Sequence, residues 1–279
     1  MKKVSIVLPV YNGEDNIAKS IESVLKQSYT NWELIIVDDC STDSTNNIIK
    51  MYEERDKRIK VLRNHKNKKL PSSLNIGFKE ATGEYYTWTS DDNIYKEDAL
   101  EVMVLFLENN VEYGMVYCDT ILIDKDDNII KENELPEPER LVYSNTVGAC
   151  FMYRSRIAEI IGEYDVTLFL AEDYEYWLRI YEKSKIKHIH ESHYFYRCHD
   201  KSLSSTRLND IRKQTVKVWK KHFSFIVSQL QEKKNRYLFF DEFLQYEERK
   251  LKKDTFKKIR KINRGYVIHY YLNKIGISF

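Results

Sequence analysis

Two adjacent carboxylates, Asp91 and Asp92, follow the apolar and aromatic run at residues 84–89. Such a run is typical of a buried strand, and in open α/β sheets ligands bind beyond the carboxyl ends of the strands. Neighbouring carboxylates repel each other, so a cation or several hydrogen-bond donors must offset their charge. A hard divalent cation takes oxygen ligands and commonly keeps substrate phosphates as its other ligands. The alternative is a solvated turn at the end of the strand.

A second acidic pair, Asp38 and Asp39, ends the apolar run at residues 33–37. An ionised carboxylate only accepts hydrogen bonds. If the ligand at this strand end is a nucleotide, Asp39 suits a base that donates a hydrogen bond: N3–H of uracil or thymine, or N1–H of guanine. It does not suit cytosine, whose N3 carries no hydrogen. The alternative is a strand-end turn that precedes the N-cap of the next helix.

A third acidic pair, Glu172 and Asp173, opens an aromatic-rich helical segment. The helix dipole keeps a carboxylate at this end ionised, so it is available as a general base. Acids are also common in the first turn of ordinary helices, which is the alternative, and Glu172 competes with Asp173 for the catalytic role.

The segments between these pairs alternate between strand and helix patterns. Apolar runs at residues 4–10, 33–37, 59–62 and 84–89 predict strands, with helices between them. This alternation predicts right-handed crossovers and a parallel sheet. The strand ends at Tyr11, Asp39 and Asp91 would then meet at one edge, which indicates a site facing a nucleotide.

After a helix at residues 96–109 the pattern changes. It predicts strands at 115–123, 128–131, 147–153, 186–189 and 194–198, and helices at 154–161, from Ala171 and over 207–222. His188, His190 and His193 alternate along the late strands. We expect exposed strand positions for them, with a metal cluster as the alternative.

Composition limits the class of protein. The 279 residues are 42% hydrophobic and 32% charged with a net charge of only +2, so nothing in the whole chain argues for a nucleic-acid partner. The four cysteines are far apart, which is typical of reduced thiols in a cytoplasmic protein.

The segment from residue 233 onward contains thirteen lysines and arginines but only five acids. That tail is predicted to be helical, with either a solvated basic face or a surface for anionic lipid at the inner face of the membrane. Aromatic residues interleaved with the basic ones include Tyr237, Phe239, Phe240, Phe243, Tyr266, Tyr270 and Tyr271.

Several segments together resemble glycosyltransferase family 2. The matching segments are residues 4–12 (VSIVLPVYN), 27–29 (QSY), 32–43 (WELIIVDDCSTD) and 81–85 (ATGEY). Residues 91–95 (DDNIY) look like the variant found in the spore-coat polysaccharide glycosyltransferase of that family, and residues 152–154 and 172–179 resemble its acceptor-side signatures. The resemblance covers about residues 4–205.

The resemblance implies an α/β protein of the GT-A fold. Residues 1–95 would bind the nucleotide sugar, residues 96–205 would form the acceptor half, and 206–279 would be the helical tail. It also implies an inverting transferase that uses a divalent metal, Mn²⁺ or Mg²⁺. We favour a UDP-sugar as donor, with a dTDP-sugar next, and a glycan or lipid-linked glycan as acceptor. A homodimer is a further expectation.

The resemblance also assigns roles to individual residues. Pro9, Val10 and Tyr11 would line the base pocket, and Asp39 would accept a hydrogen bond from the base. Asp91 would face the ribose, Asp92 would bind the metal, and Asp173 would be the catalytic base. His199 lies in a segment similar to one that folds back over the donor, so it would complete the metal shell or touch the diphosphate. Leu74 stands where the family often has arginine, which leaves Lys69 as the nearest substitute for a phosphate contact.

Two other functions stay open at this point. A nucleotidyltransferase on a similar sheet would need a glycine-rich phosphate loop after the first strand, where this chain offers only Gly13. A non-catalytic glycan-binding module would not need Asp92 and Asp173. The absence of Gln-x-x-Arg-Trp after Asp173 argues against a processive synthase.

Overall fold

The computed structural model describes residues 1–200, 202–230, 232–246, 252–263 and 266. The chain divides into two compact units, Met1–Thr206 and Arg207–Phe279. The assignment of residues 1–95 to the donor and 96–205 to the acceptor stays a prediction.

The first half of the first unit is a parallel α/β layer. Its elements are β1 (Val4–Val10), α1 (Ile17–Leu25), β2 (Trp32–Asp38), α2 (Thr45–Arg55), β3 (Ile59–Arg63), α3 (Leu70–Lys79) and β4 (Tyr85–Trp88). The strands lie in the order β3-β2-β1-β4, and all three pairings are parallel. Every residue of β1 is buried, because helices cover both faces of such a sheet. The α/β prediction is confirmed here.

The second half extends the same sheet in a mixed pattern. Its elements are β5 (Ile94–Tyr95), α4 (Ala99–Asn109), β6 (Tyr113–Ile123), β7 (Ile129–Asn133), β8 (Phe151–Arg154), α5 (Ser155–Ile161), α6 (Glu172–Lys183) and β9 (Lys185–Arg197), with short 3-10 helices at Pro138–Val142 and Val166–Leu168. The order continues β4-β8-β6-β9-β5, with β7 on β6. β8 is antiparallel to both of its neighbours, whereas β6 and β9 are parallel.

β9 differs from the prediction of two strands at 186–189 and 194–198, because it is one strand of 13 residues. Its register against β6 shifts between Cys118, which faces Ile189, and Asp119, which faces Ser192. The shift leaves His190 and Glu191 as extra residues, a β-bulge that keeps the strand continuous. The expected exposure of the histidines is wrong for His188 and His193, which are 0% and 3% exposed. Other side chains cover these two histidines: Tyr117 stacks on the His188 ring at 4.6 Å between centroids, and Asp98 Oδ1 lies 2.9 Å from His193 Nδ1.

The second unit is helical, as expected, and its helices form a core of their own. After the short helix α7 (Leu203–Thr206) come α8 (Leu208–Lys221), α9 (Phe223–Gln229), α10 (Lys233–Tyr246) and α11 (Lys252–Ile262). The ring of Trp219 packs against Phe239 and Phe243 at 5.5 and 5.8 Å between centroids.

Several aromatic residues of the tail are interior. Phe239, Phe240, Phe243 and Tyr266 are buried, while Tyr270 and Tyr271 lie outside the described residues. Burial against one another removes their apolar area from water without any lipid. No helix among the described residues is long and apolar enough to cross a lipid bilayer.

Candidate active site

The carboxyl ends of β1, β2 and β4 meet at one edge of the sheet. Pro9 and Val10 are buried in β1, and Tyr11 follows them with 49% of its surface exposed. Asn12 adopts a left-handed φ of 55°, and its side-chain oxygen accepts the Thr42 N–H at 2.8 Å. The turn after β1 is thereby joined to the turn after β2, next to Asp39.

The two members of the Asp38-Asp39 pair have different surroundings. Asp38 is fully buried, where it accepts the Ser41 N–H at 2.8 Å and lies 3.4 Å from the Arg63 guanidinium. Asp39 accepts the backbone N–H groups of Lys68 and Lys69, both at 2.8 Å. Asp38 therefore supports the β2–α2 turn, whereas Asp39 holds the basic loop before α3 against the strand ends.

Asp91 lies against the turn after β1. A Cβ atom built on Gly13 would stand 2.1 Å from Asp91 Oδ2 and 2.7 Å from Val10 Cγ2. Only glycine leaves room for this carboxylate. Burial, and secondarily the neighbouring Asp92 carboxylate, raises the pKa of Asp91 to about 7. A group that is so costly to ionise at this place is typical of a site that binds a charged or hydrogen-bonding ligand.

The Asp92 and His199 side chains lie next to each other. His199 Nε2 lies 2.9 Å from Asp92 Oδ2, and the two side chains are 25% and 23% exposed. Adjacent ligands of an octahedral ion with bonds of about 2.1 Å are separated by about 3.0 Å. The two donor atoms thus fit neighbouring positions around Mn²⁺ or Mg²⁺, with access left for solvent or phosphate oxygens.

Arg197 stabilises the segments that carry Asp92 and His199. Its side chain is buried, and its Nε donates to the Asp92 carbonyl at 2.8 Å. Its guanidinium also forms an ion pair with Asp127 at 2.6 Å. Asp127 forms a second ion pair, with Lys19, at 2.5 Å. The backbone that carries Asp92 and the strand that leads to His199 are therefore tied to one cation.

Asp173 is the accessible member of the third pair. Glu172 is only 3% exposed, and its Oε2 accepts the N–H of Leu170 at 2.6 Å. Asp173 is half-buried; its Oδ1 accepts the Tyr174 N–H at 2.7 Å and its Oδ2 accepts the Asn145 amide at 2.8 Å. Burial raises the pKa of Asp173, and burial followed by repulsion from Asp173 raises the pKa of Glu172. A carboxylate whose pKa is raised accepts a proton more readily than an ordinary one.

The backbone before this pair is strained. Leu170 has a φ of 80°, a left-handed conformation that costs a non-glycine residue about 1–3 kcal/mol. The conformation aims the Leu170 N–H at Glu172, and such outliers cluster at functional sites.

The direction of α6 brings Asp173 to the same edge as the other acids. β6 runs parallel to β4, since β8 is antiparallel to both, and Lys185 at the start of β9 faces Tyr113 at the start of β6. α6 ends at Lys183, so it ends at the opposite edge, about 18 Å from its first residue. Ring contacts agree with this direction: Trp177 packs on Phe151 at 4.5 Å, and Phe151 packs on Trp88 at the end of β4 at 5.6 Å.

Comparison with known proteins decides the family. The model of glycosyl transferase family 2 matches residues 5–164, more than half of the chain. The chain is a family 2 glycosyltransferase. This glycosyltransferase is 36% identical over 189 residues to the Bacillus subtilis protein EpsE, which is named as a glycosyltransferase, covering 65% of this chain and 67% of that protein.

The similarity to a second relative extends over a larger share of both proteins. The glycosyltransferase is 30% identical over 217 residues to UDP-Glc:alpha-D-GlcNAc-diphosphoundecaprenol beta-1,3-glucosyltransferase WfgD of Escherichia coli, covering 76% of this chain and 83% of that protein. Among solved structures, it superposes on Staphylococcus aureus TarS 1–349 in complex with UDP-GlcNAc with a TM-score of 0.65 at 18% identity, covering 88% of this chain and 81% of that chain. The expected GT-A fold is thereby confirmed.

The structure brings Asp39, Lys69, Asp91, Asp92 and His199 to the edge where Tyr11 and Asp173 also lie. Their individual roles in the glycosyltransferase stay predictions. Sequence reasoning missed Gly13 as the space for Asp91, Arg197 as the support of Asp92, and Asn145 as the donor to Asp173. Arg197 stands two residues before His199 in a matched segment, which is the signal that could have indicated it.

Proposed function

We propose that this enzyme transfers a sugar from a UDP-sugar to a hydroxyl group of a surface-glycan acceptor, with inversion at the anomeric carbon. The observation that carries the proposal is the gathering of three acidic pairs at one edge of the sheet. One holds the loop beside the nucleotide site, one offers metal ligands, and one holds a carboxylate whose pKa is raised.

The choice of uridine rests on Asp39. Its Oδ2 accepts the N–H of Lys69, and a carboxylate oxygen can accept a second donor such as N3–H of uracil. Pro9, Val10 and Tyr11 would line the same pocket, with the exposed ring of Tyr11 against the base. The TarS complex contains UDP-GlcNAc and the name of WfgD specifies UDP-Glc, which supports the same choice. A dTDP-sugar presents the same N3–H and is second.

The diphosphate would lie between Asp92, His199 and the basic loop. Asp92 and His199 would hold Mn²⁺ or Mg²⁺, and Lys69 would lie beside the phosphates. The metal, when bound, offsets the negative charge that develops on the leaving diphosphate. A mannosyltransferase from Pyrobaculum calidifontis whose structure contains GDP-Man and Mn²⁺ has a similar fold, with a TM-score of 0.60 at 15% identity over 81% of this chain and 64% of that one. Asp91, next to Gly13, would accept a hydrogen bond from the ribose.

Asp173 would act as the general base. The acceptor hydroxyl oxygen forms a bond to the anomeric carbon, the bond from that carbon to the diphosphate oxygen breaks, and the hydroxyl proton passes to Asp173. The raised pKa makes this carboxylate a stronger base, and the Asn145 amide orients it. Glu172 is less suited, because it is buried and its carboxylate accepts the Leu170 N–H.

The acceptor would be a glycan or a lipid-linked glycan, by analogy with the diphosphoundecaprenol in the name of WfgD. The exposed basic residues of α11, Lys257, Arg260 and Lys261, would bring the enzyme to anionic lipid. The buried tail aromatics take no part in that contact. The homodimer stays a prediction.

A panel of nucleotide sugars, tested with and without Mn²⁺ by thermal shift and by release of nucleoside diphosphate, checks the proposal. We expect one uridine or thymidine sugar to be selected, with both binding and turnover dependent on metal. Asp173→Asn should bind the donor without turnover, and Asp92→Ala should lose the metal dependence of binding. Asp126→Asn, an exposed carboxylate, is the matched control and should behave as wild type.

Three results would contradict parts of this proposal. Full turnover by Asp173→Asn would move the base elsewhere, and selection of a GDP-sugar would remove the role given to uracil. Turnover of a sugar phosphate with a nucleoside triphosphate would favour a nucleotidyltransferase.

A further inference from the structure

A cluster of metal-ligating side chains from β6, β9 and the connection between β7 and β8 is separate from the residues assigned to sugar transfer. Donor atoms of Asp119, His188 and His190 all lie within 4.8 Å of one another. Glu137, just before the 3-10 helix at Pro138–Val142, approaches both histidines. Two imidazoles and two carboxylates in this arrangement match the ligand types that proteins offer to zinc.

The hydrogen bonds of His188 decide which ring nitrogen is available. Its Nε2 lies 2.7 Å from Asp119 Oδ1, which also accepts the Leu135 N–H at 2.7 Å. A carboxylate can only accept, so Nε2 carries the proton and Nδ1 presents a lone pair. Carboxylates commonly orient metal-binding histidines in this way.

The other ring nitrogen of His188 lacks a hydrogen-bond partner. The residue is 0% exposed, and Nδ1 has no hydrogen-bond partner among the described residues. Leaving a buried acceptor unsatisfied costs about 1–3 kcal/mol. A cation seated at Nδ1 removes that cost.

The distances to Glu137 fit a tetrahedral ion. Glu137 Oε1 lies 3.6 Å from His188 Nδ1 and 3.0 Å from His190 Nε2. Tetrahedral ligands at about 2.0–2.1 Å from zinc are separated by about 3.3 Å, which lies midway between these two values. We propose that His188 Nδ1, His190 Nε2 and a Glu137 carboxylate oxygen bind a divalent transition-metal ion of the zinc class, with Asp119 holding His188 in place.

The surrounding structure is built for this arrangement. The β-bulge at His190 and Glu191 interrupts the regular pairing of β9, and bulges commonly re-aim side chains beside functional sites. The ring of Tyr117 stacks on His188 at 4.6 Å with an interplanar angle of 6°, which fixes the imidazole. The His190 and Glu137 side chains are 62% and 52% exposed, so an ion enters from solvent and water takes the fourth position.

A bound ion would cross-link two distant parts of the chain. Glu137 lies in the connection from β7 to β8, whereas both histidines are in β9. The same connection leads to Asn145, which donates to Asp173. The ion would thus hold the segment that orients the proposed base.

Zinc titration of the chelator-treated full chain, in competition with a chromophoric chelator, tests the site. His190→Gln and Glu137→Gln change exposed side chains, so both variants should fold. Each substitution should lower the affinity for one Zn²⁺ by at least about 100-fold. The matched controls are His65→Gln and Glu134→Gln, both exposed, which should keep wild-type affinity. His199→Gln should also keep this site, which separates it from the metal proposed for sugar transfer. Equal affinity in wild type, His190→Gln and Glu137→Gln would overturn the proposal.

The protonation of His188 supplies an independent test. Long-range nitrogen–proton NMR of the metal-free chain should show a proton on Nε2 and a bare Nδ1, whose resonance moves on addition of Zn²⁺. Co²⁺ in the same site should give the visible absorption of tetrahedral coordination. A His188 ring protonated on both nitrogens at neutral pH and unaffected by Zn²⁺ would show an ion pair with Asp119 and Glu137 in place of a metal site.

Discussion

Replacing Asn145 with alanine should change the pH dependence of catalysis. The Asn145 amide donates to Asp173 Oδ2 at 2.8 Å, while the Tyr174 N–H holds Oδ1 at 2.7 Å. Both donors favour the ionised carboxylate and oppose the burial that raises its pKa. Asn145→Ala removes one of the two and leaves the other in place.

The size of the change follows from the exposure of the two side chains. A hydrogen bond to a charged group contributes about 1.5–3 kcal/mol. Asn145 is exposed and Asp173 is half-buried, so the lower end applies. About 1.4 kcal/mol corresponds to one pH unit and to a tenfold change in an equilibrium constant. The pKa of Asp173 should therefore rise by about one further unit in the variant.

The direction of this change in the pKa of Asp173 determines the pH range in which activity is lost. Asp173 accepts the proton only when ionised, so activity falls as the pH drops through its pKa. In Asn145→Ala the acid limb of the kcat profile should move up by about one pH unit. Below that limb kcat should be about tenfold lower than in wild type, and above it the two enzymes should agree.

The assay is release of nucleoside diphosphate from the selected donor across a pH series, with folding checked at each pH. Asn145→Asp, which places a second carboxylate beside Asp173, should move the limb further in the same direction. Asn47→Ala changes an exposed asparagine on α2 and should leave the profile unchanged. An equal loss at every pH, or an acid limb that does not move, would refute the role given to Asn145.

Three other substitutions test separate parts of the structure. Gly13→Ala should cost about 1–3 kcal/mol of stability and weaken donor binding, because the new Cβ would stand 2.1 Å from Asp91 Oδ2 and 2.7 Å from Val10 Cγ2. Asp91→Ala removes only the first of these contacts, so a double variant whose melting temperature is no higher than that of Gly13→Ala would contradict this cause. His199→Gln should weaken Mn²⁺-dependent donor binding by about 10–100-fold in calorimetry, with binding in chelator unaltered. Phe239→Ala should cost about 3–5 kcal/mol in denaturant unfolding of the helical tail, whereas Leu238→Ala, at a position 56% exposed, should change it by about 0.5 kcal/mol at most.

Patterns within single segments predicted the parallel half of the sheet well. The run of β1 is apolar on both faces, and that pattern is typical of a strand covered by helices. The acidic pairs at the ends of β2 and β4 could be recognised in the sequence, because each pair ends an apolar run. Pattern did not separate Asp38 from Asp39, because only the fold shows that one supports a turn and the other holds the loop at Lys68.

Features that depend on contacts between distant segments were not predictable. Nothing in the neighbourhood of Gly13 reveals that the Asp91 carboxylate, 78 residues later, lies against it. Asn145 stands in a stretch without helical or strand periodicity. The polar residues at the bulge of β9 look like a loop in the sequence, since a bulge adds residues without ending the pairing.

The bulge in β9 also limits how the length of this strand can vary among related chains. Side chains alternate between the two faces of a strand, so each added or lost residue turns every later side chain over. Losing both His190 and Glu191 would preserve that parity and leave Arg197 facing Asp127. Losing one alone would turn Arg197 away and separate Asp92 from His199. Insertions and deletions here should therefore come in even numbers wherever the arginine is retained, and alignments with single-residue gaps would count against this constraint.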